Sequence, residues 1–227
     1  MVEGDRMTIK KLGVLGDVHA EDETLLAALE FFAAVGVDRV VCVGDVIDGA
    51  GDAERCISAL RSREITTVRG NHERWFTESR RMLLSDATPE ESLSEGSVAW
   101  LRRLPAMQTI PTVSGDALLC HSLGRNDLSR LRPDDPIDPD CPSWALQGLL
   151  DDAAGCRFVV NGHTHLPMVR EVGHVVVLNA GTLSSSYDPV VMLVDFEQLE
   201  VAWYPCAASF VATTPVRRER VPHLRGR

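Results

Sequence analysis

The sequence predicts a single α/β domain, and three observations carry that prediction. Apolar runs alternate with amphipathic helical stretches through the first half, the rhythm of a sheet flanked by helices rather than of an all-β or all-α chain. A length of 227 residues suits one medium domain with volume for a two- or three-layer core. Short strand signals separated by turns fill the last third, and no internal repeat is visible.

The elements follow in order. Ile9 to Leu15 reads as the first strand. Glu21 to Val35 reads as a helix, because Leu25, Leu29 and Phe32 recur at helical spacing, acidic residues occupy the first turn and Gly36 can close it. Arg39 to Val43 is a short buried strand, Asp52 to Arg63 a second helix and Ile65 to Val68 a third strand. From Arg74 to Leu104 two helical pieces replace this rhythm, the second opened by Thr88-Pro89-Glu90-Glu91, an N-cap with a first-turn proline and acids. This excursion is expected to lie over the sheet edge as a partial lid. Strands resume at Met107 to Val113 and Ala117 to Cys120, joined through Ser114-Gly115. A Pro- and Asp-rich loop, Arg130 to Pro142, leads into a helix at Ser143 to Ala154. Strands at Phe158 to Asn161, Met168 to Val172, Val175 to Leu178, Val190 to Asp195 and Leu199 to Tyr204 complete the domain, which is expected to end near residue 214. The locally basic remainder, residues 215–227, is poor in apolar residues and is expected to fray.

Composition excludes several classes of function. No window approaches the run of about 18 apolar residues that a membrane span needs, and the mixed charges of Met1 to Lys11 do not resemble an export signal. A cytoplasmic location is expected. A formal charge of −10 should repel duplex nucleic acid. The six cysteines are scattered, without a C-x-x-C pair, and are expected to be buried free thiols.

The chemistry concentrates in five short segments that each follow an apolar strand: G-D-V-H at Gly16 to His19, G-D-V-I-D at Gly44 to Asp48, G-N-H-E at Gly70 to Glu73, C-H-S at Cys120 to Ser122 and G-H-T-H at Gly162 to His165. Strand ends are where α/β sheets build sites. Hard carboxylate oxygens with borderline imidazole nitrogens suit Mn²⁺, Fe and Zn²⁺, and an open two-metal site needs about seven such groups with one bridging carboxylate. The alternate residues of D-V-H and H-T-H should converge if the backbone stays extended. His174 and His223 lie outside these segments and read as ordinary surface or turn residues.

These five ordered segments make the chain resemble the calcineurin-like metallophosphoesterase superfamily over about Lys10 to Asp195. The resemblance implies two packed mixed sheets flanked by helices, a four-layer sandwich. It implies two divalent cations, Mn²⁺ first, with Fe, Ni²⁺ or Zn²⁺ as alternatives. Asp17, His19, Asp45 and His165 would hold one, and Asp45, Asn71, His121 and His163 the other. His72 would donate the proton to the leaving group, held by Asp48, and the nucleophile would be a hydroxide shared by the metals. A carboxylate partner fixes a histidine's tautomer and favours its charged form, as a general acid requires. The implied activity is hydrolysis of a phosphomonoester or phosphodiester, in a small phosphorylated or nucleotide-like substrate.

One departure matters for the substrate. The protein-phosphatase branch has an arginine directly after G-D-x-x-D, whereas Gly49-Ala50 stands here, so a Ser/Thr protein phosphatase is the alternative rather than the first reading. Arg74 and Arg125 are the candidates to clamp the phosphoryl group, because arginine binds phosphate through paired donors. A scaffold retained for binding alone is a third reading. Trp75 and Phe76 are expected to pin the excursion to the core, Arg80, Arg81, Arg102 and Arg103 to lie on a solvated face, and Asn179 to Ser186 to form a turn or the site floor.

Overall fold

The structure, a computed structural model, describes residues 8–80, 84–138 and 141–222. One sheet is built on the strands β1 (Lys11–Leu15), β2 (Arg39–Cys42) and β3 (Thr66–Thr67), which run parallel because α1 (Asp22–Val35) and α2 (Ala53–Ser62) return the chain between them. The antiparallel strands β9 (Val190–Asp195) and β10 (Glu200–Ala207) extend it beyond β1, and β11 (Phe210–Val211) and β12 (Arg217–Arg220) both pair with β10. The second sheet runs in the order β4 (Met107–Ile110), β5 (Ala117–Cys120), β6 (Phe158–Asn161), β8 (Val175–Asn179) and β7 (Met168–Val172), with β5, β6 and β8 parallel.

Alternation along these strands divides the core into three parts. Leu12 and Val14 of β1 meet Leu119, Val160 and Leu178 of the second sheet, while Leu15 and Cys42 face Leu25 and Phe32 of α1 and Ile57 of α2. On the far side of the second sheet, Leu118, Val159 and Val177 pack on Leu146 and Leu149 of α5 (Trp144–Asp152). Strands covered on both faces must read as near-continuous apolar runs. That is why the central strands were visible in the sequence.

Two expectations are corrected here. Thr88 does not cap a helix: Glu90–Ser92 makes one 3-10 turn, and α4 (Glu95–Leu101) starts behind Ser94, whose hydroxyl accepts from the Ser97 N–H at 3.2 Å. The Thr88 hydroxyl is already committed, accepting from the Asp48 N–H at 2.9 Å, and the Thr88 N–H donates to the Asp48 carboxylate at 2.7 Å. The tail does not fray from residue 215 either. Arg217 lies 5.2 Å over the Trp203 ring and donates to the Pro167 carbonyl at 2.6 Å, and Arg218 pairs with Glu200, so Arg217–Arg220 is held as an edge strand. Its arginines also discourage pairing with other chains. Arg81 and His223 lie outside the described residues. Cys42, Cys56, Cys120 and Cys206 are buried free thiols as expected, but Cys141 is exposed. No helix among the described residues is long and apolar enough to cross a membrane.

Candidate metal centre

The parallel strands of both sheets end at one rim, and the five segments meet there. Asp17 follows β1, Asp45 follows β2, Asn71 opens α3 (Asn71–Thr77), His121 follows β5, and His163 and His165 follow β6. Convergence is not achieved by extended alternation, as the sequence suggested. His19, Asp45, Asp48, His163 and His165 have φ of 47°, 46°, 63°, 66° and 60°, all left-handed. Such backbone costs about 1 kcal/mol or more per non-glycine residue. Tertiary bonds hold it: the N–H groups of Val18 and His19 both donate to the Asp45 carbonyl, at 2.9 and 2.8 Å.

Glu73, which the sequence reading passed over, anchors this backbone. It is fully buried, and its carboxylate accepts from the N–H groups of Asp45 (2.9 Å), Val46 (2.7 Å), Ile47 (3.3 Å) and Gly70 (2.8 Å). Burial and the nearby Asp45 push its carboxyl up to about 7, and the Gly70 and Val46 N–H groups pull it back. The approach is too close for a larger residue at Gly70, where a Cβ would stand 2.1 Å from Asp45 Oδ1. Glu73→Gln should lower the unfolding free energy by about 2–4 kcal/mol, since an amide nitrogen would face two buried N–H donors. Urea unfolding of the metal-free protein checks this, and an unchanged midpoint would remove Glu73 from its anchoring role.

The donor atoms form three overlapping groups, Asp17 with His19 and His165, Asp45 with His121 and His163, and His19 with Asp45 and His72, each with its ligand atoms within 4.8 Å of one another. Asp45 belongs to two of them. Asn71 lies beside the second, its amide 3.0 Å from His121 Nε2. Backbone carbonyls select the tautomers: His121 Nδ1 is 2.9 Å from the Val43 carbonyl and His19 Nδ1 is 3.0 Å from that of Asp48. With those nitrogens donating, each Nε2 lone pair turns inward. His121 Nε2 then faces Asp45 Oδ2 at 3.2 Å, and His19 Nε2 faces His165 Nε2 at 3.2 Å, which is itself 3.0 Å from Asp17 Oδ2.

Acceptors facing acceptors make a place that draws positive charge. Although burial opposes it, His121 is pushed up to about 10 by Asp45. Despite its own burial, Asp45 is held below the usual carboxylate range by His121, His72 and His19. Burial likewise disfavours a charged Asp17, yet the His165 hydrogen bond and His121 keep its pKa low. His163 is lowered by burial and by the charge on His121. This donor chemistry fits divalent cations of the carboxylate- and imidazole-binding kind.

His72 stands beside this centre. Its Nδ1 is 2.8 Å from Asp48 Oδ2, and its Nε2 points inward, 3.8 Å from Asp45 Oδ2. Burial disfavours the imidazolium, but the Asp48 hydrogen bond and the charge of Asp45 raise His72 to about 9. Trp75, expected in the core, instead lines the cleft with its ring 5.0 Å from that of His72, while Phe76 is buried as expected.

The centre floors a cleft of about 550 Å³. The excursion contributes Trp75, Leu84 and Asp86 to its wall, and the Gly- and Ser-rich segment contributes Ser184 to Ser186. Tyr187 adds a ring 4.4 Å from that of His165. Neither arginine chosen from the sequence lines the cleft. Arg74 is held by two bonds to Asp127, at 2.6 and 2.8 Å, and exposed Arg125 leans on Asp152 at 3.5 Å. Arg130 and Arg132 line it instead. Their signal was the Arg-Leu-Arg alternation across a buried leucine, inside a stretch read only as loop.

A two-sheet sandwich with a strand-end cluster of aspartates and histidines is the class that fold and site define. The model of the calcineurin-like phosphoesterase superfamily domain matches residues 11–199, and the chain belongs to that family. Over 68 residues it is 38% identical to serine/threonine-protein phosphatase 1 of Salmonella typhimurium, a match covering 30% of this chain and 32% of that protein. A hypothetical protein of Pyrococcus horikoshii OT3 superposes with a TM-score of 0.69 at 14% identity, over 86% of this chain and 87% of that one. A metallophosphoesterase of Sphaerobacter thermophilus gives 0.62 at 18% identity, over 88% of each chain.

Proposed function

We propose that this phosphoesterase hydrolyses esters of small, nucleotide-like phosphates and depends on two divalent cations, Mn²⁺ first among them. The observation that carries the reading is Asp45, whose carboxylate groups with His121 and His163 on one side and with His19 and His72 on the other, His72 being held by Asp48. Asp17, His19, Asp45 and His165 would hold one cation, and Asp45, Asn71, His121 and His163 the other. Bound there, the cations would neutralise charge on the phosphoryl group and lower the pKa of water. His72 would deliver a proton to the departing oxygen from Nε2, and Asp48, itself fixed by Thr88, would hold the ring. Trp75 and Tyr187 offer flat apolar faces to a base. A cytoplasmic setting is supported by six unpaired cysteines.

The test is a panel of aryl monoester, aryl diester, cyclic nucleotides, dinucleotides and a phosphopeptide, assayed after chelation and after restoring Mn²⁺, Fe²⁺, Ni²⁺ or Zn²⁺. Chelation should abolish turnover and Mn²⁺ should restore it on the small substrates. Preference for the phosphopeptide would favour a protein phosphatase, the reading that the partial Salmonella match supports and that Gly49-Ala50 in the cleft wall opposes. No hydrolysis with any metal would leave a binding scaffold.

A further inference from the structure

We propose that Arg130 and Arg132 bind a second phosphoryl group, so that the cleft takes organic diphosphates and the bond broken is a phosphoanhydride. This rests on the function proposed above and narrows its substrate.

The two arginines flank Leu131, which is buried against the second sheet and α5, while Arg130 and Arg132 are exposed and line the cleft. Their alternation about a buried leucine puts both side chains on the cleft side of the loop. The backbone beneath them is tied down. The Arg132 N–H donates to the Asp135 carboxylate at 2.7 Å, and the Arg132 carbonyl accepts from Arg170 at 2.6 Å, which also donates to the Pro133 carbonyl at 3.0 Å. Towards the centre, Asp127 is gripped by Arg74 of α3, and the Leu128 carbonyl lies 3.2 Å from His163 Nε2. Arg74 thus positions this loop rather than clamping substrate. A backbone ordered in advance lowers the cost of binding through the side chains it carries.

Charge points to the ligand. The cleft is lined by the carboxylates of Glu21, Asp45, Asp48 and Asp86, and Arg130 and Arg132 are the guanidinium groups among its described lining residues. The reacting phosphoryl group belongs at the Asp and His floor. Two guanidinium groups lining the same cleft would meet the oxygens of a second phosphoryl group, which arginine binds in bidentate fashion. In the reaction, a water oxygen bonds to the floor phosphorus and the anhydride P–O bond breaks, its electron pair leaving on the bridging oxygen. His72 protonates that oxygen and is reprotonated by the proton lost from water, so one water is consumed and two phosphate products leave.

The experiment compares ADP, AMP and p-nitrophenyl phosphate as Mn²⁺-dependent substrates of the parent, Arg130→Ala, Arg132→Ala, the double variant and Arg132→Lys. Calorimetry with the non-hydrolysable α,β-methylene-ADP, and with AMP, measures binding in the same proteins. The parent should prefer ADP to AMP. Each alanine variant should lose about 10–100-fold in kcat/KM on ADP and in affinity for the methylene analogue, the scale of one lost charge-assisted hydrogen bond. The loss on p-nitrophenyl phosphate should stay within about threefold, and Arg132→Lys should recover part of the ADP rate. Equal losses on ADP and p-nitrophenyl phosphate, unchanged ADP kinetics in the double variant, or a parent indifferent between ADP and AMP would overturn this inference and leave the general phosphoesterase reading standing. Failure of the parent on every substrate would bring down both.

Discussion

Asp45→Asn is expected to strip the centre of metal and abolish hydrolysis of every substrate together. The Asp45 carboxylate groups with His121 and His163 and also with His19 and His72, and the amide removes the charge that the two proposed ligand sets would share. The histidines facing it would then repel a cation once protonated, or bind it without the neutralising carboxylate. A drop of about 10³-fold or more in kcat is expected, roughly 4 kcal/mol of the charge stabilisation that a metal site supplies. The fold should survive, because Asn tolerates the left-handed backbone at φ 46° and the Asp45 N–H bond to Glu73 is a main-chain bond. Metal content by mass spectrometry, turnover and urea unfolding would be measured side by side. Two bound metals with near-normal turnover would refute the bridge.

Removing the His72 ring should hurt in proportion to how badly the leaving group needs a proton. An alkoxide leaves poorly, and His72→Ala should cost about 10²–10⁴-fold on an alkyl ester, the usual range for positioned acid catalysis. A nitrophenolate leaves unaided and should lose far less. Both metals should remain, because His72 lies beside the centre rather than within the two proposed ligand sets. The pH dependence has a definite sign. His72 is the acid only while protonated, and Asp48 and Asp45 raise its pKa to about 9, although bound cations would pull it back down. Asp48→Asn removes a raising charge and the hydrogen bond at 2.8 Å, so the alkaline limb of kcat should move to lower pH. Equal losses on alkyl and aryl esters would assign His72 to charge stabilisation, loss of a metal would make it a ligand, and an alkaline limb unmoved in Asp48→Asn would remove Asp48 from the acid's support.

The candidate site was legible because its residues sit directly after strands whose apolar character is dictated by burial on both faces. Asp17 and Asp45 each end such a run behind a glycine, and the other ligand candidates stand in similarly compact segments. The candidate ligands therefore carry a local signal. Other assignments failed for want of one. Arg74 looked like a free clamp because nothing beside it in sequence reveals Asp127, 53 positions away. Thr88 looked like a helix cap because its partner, Asp48, is 40 positions away.

Sequence alone determined the α/β class, the succession of the central strands along the chain and the residue types that follow them, since periodicity and strand-end chemistry are properties of neighbours along the chain. Only the tertiary structure decided which of those residues carry left-handed backbone, that Glu73 anchors them through four main-chain N–H groups, that Arg217–Arg220 pairs as an edge strand, and that Arg130 and Arg132 rather than Arg74 and Arg125 face the cleft. Each of these depends on a hydrogen bond, an ion pair or a packing contact between residues distant in sequence or on different elements, and such contacts exist only once the sheets have assembled.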